Sequence, residues 1–210
     1  MRKDRQARLR EDHPGNWSSM SNEYFQIVGI LFQRSSQIAA EGAKRSLWVY
    51  AGLPLLLAGL EAFLVEHQHL FKLAPPPQPV AGIDPLMDVV KSYKVPDTLV
   101  AAIADLVEVR HEIMHPVTLP FERGKCPDYV KRLLELQLLD SYRVQSGADI
   151  LKLLASHRLF EWAIGRCCEL LDAIALSDPQ RARIFGGLAD NLREVISITP
   201  SDPIALQPLI

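Results

Sequence analysis

The sequence predicts an all-α protein, a single bundle of about six or seven helices, and three observations predict it. Apolar residues recur at intervals of three and four in one segment after another. No segment sustains the two-residue alternation of a half-buried strand. The breaks between periodic segments carry the capping residues and prolines that end helices. With 48% hydrophobic residues in a chain of 210, there is enough apolar side chain to bury a substantial core. No internal repeat points to a solenoid.

Residues 1–17 are charged, contain Pro14-Gly15 and show no period, so they read as a mobile arm. Arg2, Lys3, Arg5, Arg8 and Arg10 precede a polar segment, whereas a signal peptide would follow them with an apolar run. Ser18 to Ser21 offers a helix start, and Tyr24, Val28, Leu31, Ser35 and Ile38 continue it to a break near Gly42. The apolar run from Leu47 extends a central helix to about Phe71, with a kink expected at Pro54. Leu47 to Val65 is nineteen residues with Glu61 as its one charge, close to the length of a bilayer span. Gly52, Pro54, Gly59 and the amphipathic character of the other segments favour a helix buried on all sides of a soluble bundle, with no membrane contact.

Ala74 to Pro79 cannot be helical and reads as a stiff polyproline connector, so 74–82 is a loop. Asp84-Pro85 is a cap with proline at the first helical position, opening a short helix to about Tyr93. Pro96-Asp97 or Asp97-Thr98 opens the next helix, which Pro116 stops. Pro127-Asp128 starts a helix to about Leu139, and Ser146-Gly147 marks the following break. Ile150, Leu153, His157, Phe160, Ile164, Cys167, Leu171 and Ile174 then form one long helix with a narrow apolar seam, suited to self-association. Asp178-Pro179 caps a last helix through about Ile196. One domain is therefore expected over 18–197, followed by a proline-containing tail at 198–210.

The 23 basic and 25 acidic residues give a formal charge of -2, so no global positive field gathers nucleic acid and any anion must be collected locally. Three cysteines, two of them adjacent at Cys167 and Cys168, make a poor disulfide framework and suit a reducing cytoplasm. Those two thiols read as core. No glycine-rich phosphate loop precedes a helix, which argues against P-loop nucleotide hydrolysis.

The densest polar chemistry inside an apolar pattern is Glu-Val-Arg-His-Glu-Ile-Met-His-Pro, from Glu108 to Pro116. Leu99, Ile103, Leu106, Arg110 and Ile113 share one helix face, so the Arg110 guanidinium needs a partner, or a place at a rim or interface. Glu61, the carboxylate in the apolar central helix, is the natural partner. It would either orient Arg110 or neutralise it. His115 follows five residues on, about 140° around and about 7.5 Å along a continuous helix, but Pro116 pushes it towards extended backbone and off the helix end.

The run from Leu106 to Pro116 resembles the signature of the HEPN superfamily (higher eukaryotes and prokaryotes nucleotide-binding), an arginine, a polar residue, then a histidine at a helix end. His111 fits the polar position as its histidine variant. Leu60-Glu61-Ala62-Phe63 and Glu161-Trp162-Ala163 are similar to recurring features of these bundles, and the resemblance spans roughly residues 20–176. It implies a metal-independent endoribonuclease without a cofactor, with two motif helices meeting in a homodimer cleft. His115 would take the proton of an RNA 2′-hydroxyl, and Arg110 would neutralise charge developing on phosphorus. His111 would bind or orient phosphate, with Glu61 and Glu112 as further orienting candidates. Such proteins are often toxins or phage-defence effectors, partnered by an antitoxin or a nucleotidyltransferase, and some keep the fold without activity as interaction modules.

The same residues also spell His-Glu-x-x-His, the helix of a zinc peptidase, with His111 and His115 as metal ligands and Glu112 as general base. Pro116, the bulky Met114 and the lack of an upstream strand weigh against it, and Glu135 and Asp140 are unmarked as a third ligand. His157 reads as a hydrogen-bonded core or interface histidine, and His67 and His69 read as solvated.

Overall fold

The computed structural model describes residues 20–43, 45–70, 84–117, 119–120, 126–140, 144–177 and 182–197. The arm at 1–17, the proline-rich loop at 74–82, the Asp178-Pro179 cap and the tail at 198–210 lie outside them. The described residues form eight helices: α1 (Met20–Ala40), α2 (Trp48–Leu70), α3 (Pro85–Ser92), α4 (Asp97–Met114), α5 (Asp128–Glu135), α6 (Gly147–Leu154), α7 (His157–Ser177) and α8 (Ala182–Ser197). Among them the one extended pairing is an isolated bridge between Pro120 and Ser146. The all-α expectation holds.

α1 ends as its glycine predicts. Gly42 takes a φ of 86°, and the Ala43 and Gly42 amides return to the Ile38 and Ala39 carbonyls at 3.1 and 3.0 Å, closing the helix end. α1 then packs along α2. Ser21 meets Glu66 at 3.2 Å and Tyr24 meets Gly59, so the two helices run antiparallel. α2 buries Leu53, Leu56, Leu57, Leu60 and Leu64, each contributing about 1.5–3 kcal/mol relative to exposure.

The expectation that α2 is covered on all sides is corrected. Leu47 and Trp48 at its start are exposed, as is Ala51, and Pro54, Leu55 and Ala58 are only partly buried. Trp48–His67 is long and apolar enough to cross a membrane by length and composition, and half of that window is buried here. Its open face borders a cleft.

α4 rests against α2, α3, α6 and α7, burying Leu99, Ile103 and Leu106. Two predicted boundaries downstream need correction. α5 stops at Glu135 instead of Leu139, because Gln137 turns left-handed at φ 57°. The Leu138 and Gln137 amides then close on the Leu133 and Leu134 carbonyls, each at 3.0 Å, a glycine-type helix end built without glycine. The predicted long helix from Ile150 is two helices, α6 and α7, broken at Ala155-Ser156. Ser156 Oγ accepts the Leu159 amide at 3.4 Å, capping α7, and donates to the Leu138 carbonyl at 2.6 Å.

The apolar seam keeps its phase across that break. Ile150, Leu153, Phe160, Ile164, Cys167, Leu171 and Ile174 are all buried in the chain's own core, so the seam is not a surface for self-association. His67 is also corrected. It is 7% exposed, wedged 4.0 Å from the Phe63 ring and 5.1 Å from that of Phe185, because α8 covers the end of α2. The side chain of His69 lies outside the described residues.

Candidate active site

Arg110 sits where the helix phase puts it, on the α4 face turned towards α2 and α3. Its Nη1 donates to Glu61 Oε2 at 3.3 Å, the partner read from the sequence. Its Nη2 donates to Asp84 Oδ2, a partner that sequence reasoning missed. The other oxygen of Asp84 accepts the Leu86 amide at 2.9 Å and caps α3. The cap alone accounted for an aspartate at that position, and nothing in the chain links residue 84 to residue 110.

Arg110, His111, Met114 and His115 form one wall of a cleft of about 630 Å³, within the roughly 300–1,000 Å³ of small-ligand sites. Asp84 and the open face of α2, through Tyr50, Ala51, Pro54 and Leu55, form the other walls, with Tyr24 of α1 beside them. Gly59 brings Tyr24 to this place. A Cβ at Gly59 would lie 3.0 Å from Tyr24 Cβ and 3.1 Å from the Phe25 ring, so a side chain there would push α1 away. Tyr50 is anchored through its hydroxyl, which donates to the Leu151 carbonyl, and burial pushes its ionisation above the ordinary tyrosine value.

His115 leaves the helix as Pro116 requires, with φ -134° and ψ 62° and its amide still bonded to the His111 carbonyl. The two imidazole centroids are 5.2 Å apart, and both side chains are exposed at the cleft. Glu112 is placed differently. It accepts the Val117 amide at 3.3 Å and is not among the cleft-lining residues. The structure thus gathers Arg110, His111 and His115, reaches Glu61 through Arg110, and turns Glu112 to the following loop. Among the described residues, no three His, Cys, Asp or Glu side chains come together as a metal-binding group.

The remaining singled-out residues are packed. His157 Nδ1 lies 3.0 Å from Ser35 Oγ and Nε2 lies 3.5 Å from Ser36 Oγ, and burial lowers its pKa from the ordinary histidine value. Cys167 and Cys168 are free, buried thiols. Burial pushes both up, Cys168 to about 11, with the nearby Arg193 pulling it the other way.

Comparison with known proteins yields no matching family model, no matching curated protein and no matching solved structure.

Proposed function

We propose that the chain is a metal-independent endoribonuclease of HEPN type, acting at the cleft that Arg110 and His115 share. The supporting observation is the gathering of a fixed guanidinium and two imidazoles in one open cleft, a set that suits in-line attack on a phosphodiester. The RNA 2′-oxygen loses its proton to His115 and bonds to phosphorus, and the 5′-oxygen leaves and takes up a proton. The products are a 2′,3′-cyclic phosphate and a 5′-hydroxyl end. Arg110 faces the negative charge that grows on the phosphoryl oxygens, and His111 steadies them. Tyr24, Tyr50, Pro54 and Leu55 offer an apolar wall on which an unpaired base beside the phosphate would lie.

In this reading two copies face each other across the motif, and the exposed Met114, Val117 and Leu119 at the end of α4 supply apolar surface for the contact. A toxin or defence role, with an antitoxin or nucleotidyltransferase as partner, follows from the HEPN resemblance. A second reading is a non-catalytic interaction module of the same fold, and the two ion pairs that satisfy Arg110 favour it.

The test is cleavage of a mixed RNA in excess EDTA by the wild type and by folded Arg110→Ala and His115→Ala variants. Cutting that survives EDTA and falls by about 10²-fold or more in each variant is the expected outcome. Wild-type protein that leaves RNA intact under all conditions moves the function to the interaction module.

A further inference from the structure

Two carboxylates share one guanidinium at Arg110, which leaves the trio one negative charge in excess. That is an unexpected balance in a cleft read as a seat for an anion. The two carboxylates are not equivalent. Glu61 belongs to α2 and does not line the cleft, whereas Asp84 does, so an anion arriving at Arg110 meets Asp84 first. Asp84 is also held twice. When Oδ2 releases Nη2, Oδ1 still accepts the Leu86 amide at 2.9 Å, and the carboxylate stays at the head of α3.

We infer that Asp84 is an exchangeable counterion of Arg110, displaced from Nη2 by the incoming phosphodiester and returning when the product leaves. This rests on the proposal that a phosphodiester docks at Arg110. A part-buried guanidinium without a partner is costly, and Asp84 keeps Arg110 oriented until the phosphodiester arrives. Its charge repels the phosphate that replaces it, so Asp84 weakens binding and favours release. A purely structural Asp84 would behave in the opposite way, since removing it would loosen Arg110 and weaken binding.

The Asp84→Asn variant separates the two. Asparagine caps a helix about as well as aspartate, so α3 keeps its start while the charge is lost. Asp84→Ser, another good cap, guards against an effect peculiar to the amide. Thermal melts within a few degrees of wild type show that both are folded. The probe is a fluorescein-labelled 2′-O-methyl RNA, which has no 2′-hydroxyl to attack, titrated by anisotropy with wild type, both Asp84 variants and Arg110→Ala.

The expected result is binding about 5–20-fold tighter in both Asp84 variants, with the gain shrinking as NaCl rises, and loss of binding in Arg110→Ala. Asp84 variants that bind equally or more weakly, while Arg110→Ala loses binding, overturn the exchange and leave the phosphate site standing. If Arg110→Ala binds as wild type does, or no protein binds, the phosphate site itself falls and the exchange falls with it.

Discussion

Among the charged residues of helix α4, Asp105 and Arg110 lie five residues apart, and the protein treats them in opposite ways. The Asp105 side chain is 8% exposed and is covered by Arg132 of α5. Arg132 Nε approaches both carboxylate oxygens, at 3.1 and 3.0 Å, and Nη2 bonds Oδ1 as well. One anion meets one cation, and Arg132, at 53% exposed, keeps its outer face in water. Arg110 is 18% exposed, yet two carboxylates attend it, Glu61 at 30% and Asp84 at 24%, and one side opens to the cleft. A closed pair acts as a clamp between helices. An open trio with a surplus partner has a position that another anion can take.

The largest effect that separates the two is on stability. Arg132→Ala leaves Asp105 buried without its cation. Removing the partner of a buried polar group costs about 1–3 kcal/mol, and the middle of that range applies because Arg132 is half exposed and its truncation lets water reach the carboxylate. Tm should fall by roughly 4–8 °C, with the proposed RNA cleavage, measured well below the new Tm, unchanged. Arg110→Ala should do the reverse, since its carboxylates already reach water: a stability loss of about 1 kcal/mol and a fall of about 10²-fold or more in the proposed cleavage. Calorimetry and cleavage assays on the two variants check this. An Arg132→Ala protein that unfolds no earlier than Arg110→Ala breaks the distinction between clamp and site.

The comparison also explains what the sequence reveals and what it hides. Arg110, Glu61 and His115 are legible because each breaks an apolar pattern or sits beside a proline, and a charge in an apolar line calls for a partner. Asp84 is hidden because its local role as the α3 cap already explains its identity. The break between α6 and α7 is hidden for a related reason, since the apolar residues resume in phase after Ser156 and periodicity alone joins the two helices. The end of α5 at Gln137 lacks the glycine that usually announces such a turn. His67 is polar and follows the apolar run, and the ring of Phe185, from a distant segment, helps to bury it. Local chemistry was readable, and contacts between distant segments were readable only where an unpaired charge demanded one.

The smallest expected effect extends the contrast to histidines. His115 is exposed at the cleft, whereas His157 is held between Ser35 and Ser36 with its ring 5.0 Å from Phe32. Burial lowers the His157 pKa, and Glu161 opposes this more weakly. Its place in the first turn of α7 adds a helix N-terminus that disfavours a cation. The folded pKa therefore lies below the unfolded value of about 6.5. Between the two, the unfolded chain binds a proton that the native chain does not, so stability increases with pH across that window. The His157 contribution is complete above about pH 6.5 and is lost as pH falls through the folded value. Because other groups titrate in the same range, the informative quantity is the difference between wild type and His157→Gln. Acidification from pH 7.5 to 5.5 should lower the wild-type Tm by about 2 °C more than that of the variant. Equal shifts would mean that the Ser35 and Ser36 pocket admits an imidazolium as readily as water does.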